Sequence, residues 1–293
     1  MRVELRRGEY TAAADTLGGE LVSFRDGQGV EYIWQGDAKS WPGQNPNLFP
    51  IVGALKDGAV LVEGKPFHMD RHGFARRSEF TVAERGEDYA VLELRQSRET
   101  LERYPFDFVL RVRHQLVDDG FLTEFEVRNP GDRDLLFCVG GHTGINCPLE
   151  AGKRFEDYRL VFDEAESCKA LIPTSQGLLR AGRFGPGLED TDTIALDHGV
   201  FDQVDTLIFE GLRSKGVALR HKDGGREVYM DFGAFPMVAF WTMPRAAAPY
   251  ICLEPWQGCA AWEGDSGEFA EKRHVIRLAP GGEKRLAYTV TLR

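Results

Sequence analysis

The sequence predicts an all-β protein, one large antiparallel β-sandwich with very little helix. Three observations carry that expectation: many short runs of alternating or apolar residues, hairpin-type turns between them, and a single short helical stretch. No internal repeat and no Pro/Gly/Ser-rich linker divides the 293 residues, so residues 1–293 read as one domain, within the range open to a large β fold. A hydrophobic content of 42% supplies a core, and 19 Phe and 33 Gly fit many strands and turns.

Taken in order, Ala12 to Arg25 reads as strand around a Gly18-Gly19 turn, and Glu31 to Trp34 as another short strand. Asp37 to Pro50 changes to Pro, Asn, Gly and Trp and reads as an ordered loop. Ala59 to Met69 returns to strand, punctuated by Glu63-Gly64, and Ser78 to Ala83 pairs with Tyr89 to Arg95 across Arg85-Gly86-Glu87-Asp88. Ser97 to Tyr104 is the helical piece, ended by Pro105. The clearest strand follows: Phe106, Phe108, Leu110, Val112 and Leu116 share one face, and Asp107, Arg111, Arg113 and Gln115 the other. Asp119-Gly120 turns it back, and Leu135 to Val139 is a buried strand leading to Gly140-Gly141-His142. Tyr158 to Phe162 and Ala170 to Pro173 read as separate strands around an acidic turn, and Gly182 to Gly199 as loop. Strands continue over Val204 to Phe209, Val217 to Arg220, Val228 to Phe232 and Val238 to Thr242, and the chain closes on Arg285 to Leu292. Two sheets of this size leave an open cleft suited to a small molecule.

The net charge of −10 and the lack of a basic stripe argue against nucleic acid and anionic membranes as partners. Five scattered cysteines fit reduced thiols, and no long apolar segment marks a signal peptide or a span; a cytoplasmic location is the expectation.

Ile251-Cys252-Leu253-Glu254-Pro255-Trp256 sets a carboxylate at the end of an apolar strand, beside a proline that stops regular pairing and an indole. Burial there raises a carboxyl toward the range of a general base; the plainer reading is a salt bridge at a sheet edge. His142, after a buried strand and two glycines, is placed for proton transfer or for satisfying a loop carbonyl. His72, in Arg71-His72-Gly73-Phe74, reads as a site residue or an exposed loop histidine, and His114, on the apolar face of its strand, as a core histidine. His68 and His72 lie four apart in strand and loop, and no H-E-x-x-H or paired cysteines accompany them, so no metal site is expected. Gly264-Asp265-Ser266-Gly267 is like the nucleophile segment of a serine protease but lacks the accompanying histidine context. No glycine-rich phosphate loop indicates a nucleotide cofactor.

Read together, Asn47-Leu48-Phe49-Pro50-Ile51-Val52-Gly53, Arg71-His72-Gly73-Phe74-Ala75-Arg76, Gly140-Gly141-His142 with Asn146-Cys147-Pro148-Leu149, and Leu253-Glu254-Pro255-Trp256-Gln257-Gly258 resemble the aldose 1-epimerase (galactose mutarotase) family, its LacX-like branch above all. Each motif is modest; the ordered set, spanning nearly the whole chain, is specific. The resemblance implies a β-supersandwich and interconversion of sugar anomers without cofactor. It implies Glu254 as general base, His142 as general acid, His72 near the ring oxygen of the sugar, and Asp205, or alternatively Asp202, on a hydroxyl. Such a pair gives a bell-shaped pH profile, with Glu254 on the acid limb and His142 on the alkaline limb. Trp256, Phe74 and Trp262 are candidates to pack on the pyranose. The chain departs from the family at Ala54, where relatives often carry a basic residue, and Arg76 is the candidate replacement. Arg71, Arg76 and Arg77 leave a hexose 6-phosphate open as the substrate, and a non-catalytic sugar-binding protein is the reading from another class.

Overall fold

The computed structural model describes all 293 residues. Its main body is a 14-stranded sheet, and every pairing between its strands is antiparallel. The Val109–Val117 strand lies near one end with its expected face inward: Leu110, Val112, His114 and Leu116 are fully buried. Phe106 and Phe108 are buried too but precede the strand. A three-stranded N-terminal sheet of Arg2–Arg7, Tyr10–Asp15 and Glu20–Arg25 packs over this end, where Phe24 meets Phe121 edge-on at 5.3 Å. His114 closes the layer as a core histidine, Nδ1 bonding Thr123 Oγ1 at 3.0 Å and Nε2 the Gly19 carbonyl at 2.8 Å. One contiguous cluster of 72 buried residues runs through the layers.

Several segments depart from the sequence reading, and Leu135 to Val139 divides into Leu135–Phe137 and Val139–Gly140 in two different sheets. Tyr158–Leu171 is one continuous strand, not two, and Phe184–Ala195 is a strand rather than a loop. The two pair as a long hairpin whose far half reaches beyond the core. Of the returning strand only Leu188 is buried, so neither face required the apolar alternation that betrays a strand. A second helix, His198–Val204, is capped by Asp197, which accepts the Gly199 N–H at 2.7 Å; it buries only Phe201 and gives no periodic signal. Glu31 to Trp34 forms isolated bridges at Glu31 and Ile33 instead of a strand. The expected helix is present as Arg98–Arg103, with Ser97 and Thr100 forming a capping box. No helix is long and apolar enough to cross a membrane.

Candidate functional site

The site is built on the Tyr250–Gln257 strand, buried from Tyr250 to Trp256. Pro255 does not end it: Met237–Trp241 pairs with it on one side as far as Trp256. The interruption falls instead on the other neighbour. Val139–Gly140 and Thr143–Asn146 pair with the same strand in one unbroken register, Gly140 opposite Trp256 and Thr143 opposite Leu253. Between them, Gly141 and His142 face Pro255 and Glu254. Pro255 has no N–H to donate, so only its carbonyl is used, accepting the Gly141 N–H at 3.1 Å. His142 thereby stands directly across from Glu254, with Nε2 3.2 Å from Oε2.

His72 reaches this pair from a separate loop. Its backbone lies at φ 68° and its N–H donates to the Gly53 carbonyl at 3.0 Å, while the Gly53 N–H donates to His72 Nδ1 at 3.2 Å. The reciprocal pair fixes Nε2 as the protonated nitrogen of the neutral ring. Two glycines make the approach possible. A Cβ on Gly73 (φ 73°) would lie 2.2 Å from the Phe49 carbonyl oxygen, and one on Gly53 (φ 74°) 2.5 Å from the Ala260 backbone. The His72 ring meets the His142 ring edge-on at 5.7 Å and lies 6.1 Å from Trp256.

His72, His142, Glu254, Asp205, Arg76 and Trp256 all line one cavity of about 330 Å³, the size of a small-molecule site. Asp205 comes from the C-terminus of the His198–Val204 helix at φ 66°, and its Oδ1 accepts from Thr206 Oγ1 at 2.6 Å. Asp202 is exposed, and its carboxylate accepts the Arg245 N–H at 2.5 Å, outside the cavity. Ala54 also lines the wall, and a methyl on nearby Gly177 would sit 3.2 Å from its Cβ and 2.3 Å from Arg71 Nη2. Arg71 thus brings a cation to the Ala54 corner, while Arg76 stands near the histidines. Arg77 turns away, paired with Asp70 at 2.7 Å.

Two aromatic residues were missed. Trp41, from the Asp37 to Pro50 loop, lies 5.1 Å from the His142 ring, and Trp241 lies 5.6 Å from it; both line the cavity. Trp41 sits in a stretch with no periodicity, and Trp241 at a strand end, so only the three-dimensional packing marks them. Phe74 and Trp262 do not reach the cavity: Phe74 packs in the core against Phe49 and Phe108, and Trp262 lies under Arg273. Ser266 is an exposed residue whose hydroxyl donates to Glu271 at 2.7 Å, with no histidine beside it. A larger cleft of about 600 Å³ lies near the Arg98–Arg103 helix, but all its charges except Glu79 are tied in pairs, Arg77 with Asp70, Arg95 with Glu93 and Arg103 with Glu99.

Burial sets the electrostatics. Glu254, 1% exposed, has its carboxyl raised well above the usual range, chiefly by desolvation and further by Asp205, with the Trp256 indole opposing. Desolvation lowers the His142 imidazole to about 3, against a weaker upward pull from a backbone hydrogen bond, and nearby Arg76 lowers it further. Desolvation, then His142, Arg76 and Arg71, hold His72 well below its ordinary value, so it is a neutral donor. The expected order of Glu254 and His142 is therefore reversed: the buried carboxyl keeps its proton more tightly than the imidazole. His142 Nδ1 is buried without a hydrogen-bond partner, as suits a group that a bound molecule satisfies. Cys252 Sγ, a His142 nitrogen and a Glu254 oxygen lie within 4.8 Å of one another.

The large antiparallel β-sandwich is the fold of galactose mutarotase-like proteins. The chain superposes on a galactose mutarotase related enzyme from Lactobacillus acidophilus with a TM-score of 0.94 at 30% identity, covering 100% of this chain and 97% of that one. A galactose mutarotase-like protein from Lactobacillus casei gives 0.89 at 25% identity, with both chains fully covered. In sequence, the chain is 35% identical to the chromosomal Protein LacX of Lactococcus lactis subsp. lactis over 301 residues, 100% of this chain and 99% of that protein. Residues 1–281 match the family Aldose 1-epimerase, and the chain belongs to that family.

Proposed function

We propose that the protein interconverts the α and β anomers of a hexose by acid–base ring opening and closure. The observation that carries this reading is the His142–Glu254 contact of 3.2 Å at the wall of the cavity. Ring opening needs a proton removed from the anomeric hydroxyl and one delivered to the ring oxygen. The pair's proton first passes from the Glu254 carboxyl to His142 across their 3.2 Å contact; Glu254 as carboxylate then takes the first, and His142 as imidazolium gives the second while the C1–O5 bond breaks. The pair ends as carboxylic acid and neutral imidazole, with its proton count unchanged. Rotation about C1–C2 then presents the other face of the aldehyde. Reclosure runs the same transfers backwards: His142 takes the O5 proton as O5 attacks C1, and Glu254 protonates the carbonyl oxygen. One proton on the pair therefore serves the whole cycle, and no cofactor enters. His72 Nε2–H donates to the sugar near the ring oxygen, Asp205 accepts from a hydroxyl, and Trp41, Trp241 and Trp256 pack on apolar C–H faces.

A second reading, a hexose 6-phosphate as substrate, is favoured by one observation: Arg71 and Arg76 line the cavity and neither is held in an ion pair. A purely sugar-binding role does not explain why two proton-carrying groups are buried face to face, at a desolvation cost that a binder has no reason to bear. Polarimetry of freshly dissolved α-aldoses and their 6-phosphates tests the proposal. Faster equilibration of at least one of them is expected, and an unchanged rate across the whole panel overturns it.

A further inference from the structure

Cys252 precedes Glu254 by two residues on the same strand, so their side chains leave the sheet on one face, with His142 across the ladder. The three donor atoms lie within 4.8 Å of one another, and all three residues are buried. His142 Nδ1 has no hydrogen-bond partner, Glu254 Oε2 meets only His142 Nε2 at 3.2 Å, and Cys252 is a free thiol. Imidazole, thiolate and carboxylate together are the donor set of zinc and its softer congener cadmium; a thiolate does not suit magnesium or calcium. Bond lengths of about 2.0–2.3 Å around a tetrahedral ion place donors roughly 3.3–3.8 Å apart, so the set needs to close by about 1 Å. His142 and Glu254 line the cavity while Cys252 stands behind them, which leaves the fourth coordination position facing the cavity.

We infer that His142, Cys252 and Glu254 form a site for a zinc-type divalent cation, and that the ion shuts off anomer interconversion by occupying both proton-carrying groups. The inhibitory half rests on the roles proposed above for Glu254 and His142; the binding half does not. On binding, the Cys252 thiol and the Glu254 carboxyl release their protons to solvent and bond the metal in their place, and nothing is oxidised. The set was invisible in the sequence because His142 is far from the other two in the chain and no ligand spacing links them.

The test is a titration with Cd²⁺ alone, followed by the ultraviolet thiolate-to-metal absorbance, alongside Zn²⁺ inhibition of the polarimetric rate. Both are run in a Cys168→Ala background, which removes the one cysteine that is not buried. One Cd²⁺ per chain with a thiolate band is expected, and the band is lost when Cys252→Ala or Cys252→Ser is added. Zn²⁺ inhibition, taken relative to each variant's own metal-free rate, weakens about tenfold or more in both variants. The serine variant keeps the side-chain volume that alanine gives up, so a folding defect in one does not decide the result. Absence of the band, its survival without Cys252, or inhibition indifferent to Cys252 overturns the inference. Failure of the epimerase reading shows itself differently: no sugar is turned over, yet the Cd²⁺ band still depends on Cys252.

Discussion

His142 and Glu254 occupy facing positions of one antiparallel ladder, with Nε2 and Oε2 3.2 Å apart and the carboxyl sealed from solvent. Because burial disfavours charge on both, the resting pair holds a single proton, and its titration belongs to the pair rather than to either residue.

Removing the carboxylate while keeping its shape isolates its chemistry. Glu254→Gln is expected to lower kcat by about 10²–10⁴-fold, the range for loss of a general base, with sugar binding largely retained. Steady-state polarimetry checks this, and a variant with most of its turnover left would remove Glu254 from the mechanism.

The pH profile follows from the signs of the two shifts. The active pair carries one proton. Acid adds a second to an imidazole lowered to about 3, and alkali removes the only one from a carboxyl raised well above its usual range. The acid limb of kcat/KM should therefore lie well below the ordinary histidine value, and the alkaline limb should belong to the Glu254 carboxyl, well above the usual carboxyl range. A limb centred near the ordinary histidine value of about 6.5 that vanishes in His142→Asn would mean that the imidazole titrates as a freely solvated group.

His142 and His72 should differ in kind. His142→Asn removes the proton donor and should depress kcat with KM little changed. His72→Asn removes a contact made in ground and transition states alike and should mainly raise KM. The opposite split would exchange their roles.

Gly73→Ala tests the loop that delivers His72. Its positive φ and the 2.2 Å approach to the Phe49 carbonyl leave no room for a methyl. A loss of roughly 2 kcal/mol or more is expected, read as a lowered denaturation midpoint, with KM rising in whatever protein folds. Unchanged stability and KM would show that the loop can shift away.

The divide between what the chain announces and what it conceals is physical. Alternation exposed the Val109–Val117 strand because one face is core and the other is not, and it placed His114 on the buried side. The Phe184–Ala195 strand stayed hidden because its hairpin lies mostly in solvent. Glu254 and His142 were legible as polar residues amid apolar strand, and the ordered motifs supplied their kinship. Their register was not legible, because Pro255 signals an end of pairing that is in fact transferred to the neighbouring strand. Trp41 and Trp241 follow no local rule and emerge only from the fold.

The shared register of Val139–Gly140 and Thr143–Asn146 against Tyr250–Gln257 separates two inheritances within one pocket. The His142–Glu254 pair, the proposed reacting groups, hangs from rigid backbone, its spacing dictated by the sheet itself. Ala54, Arg71, His72, Arg76 and Trp41 come from connecting segments, which can be rewritten without disturbing that spacing. Under the proposed reaction, a lineage can exchange one sugar for another by editing connections, while the facing pair keeps its spacing.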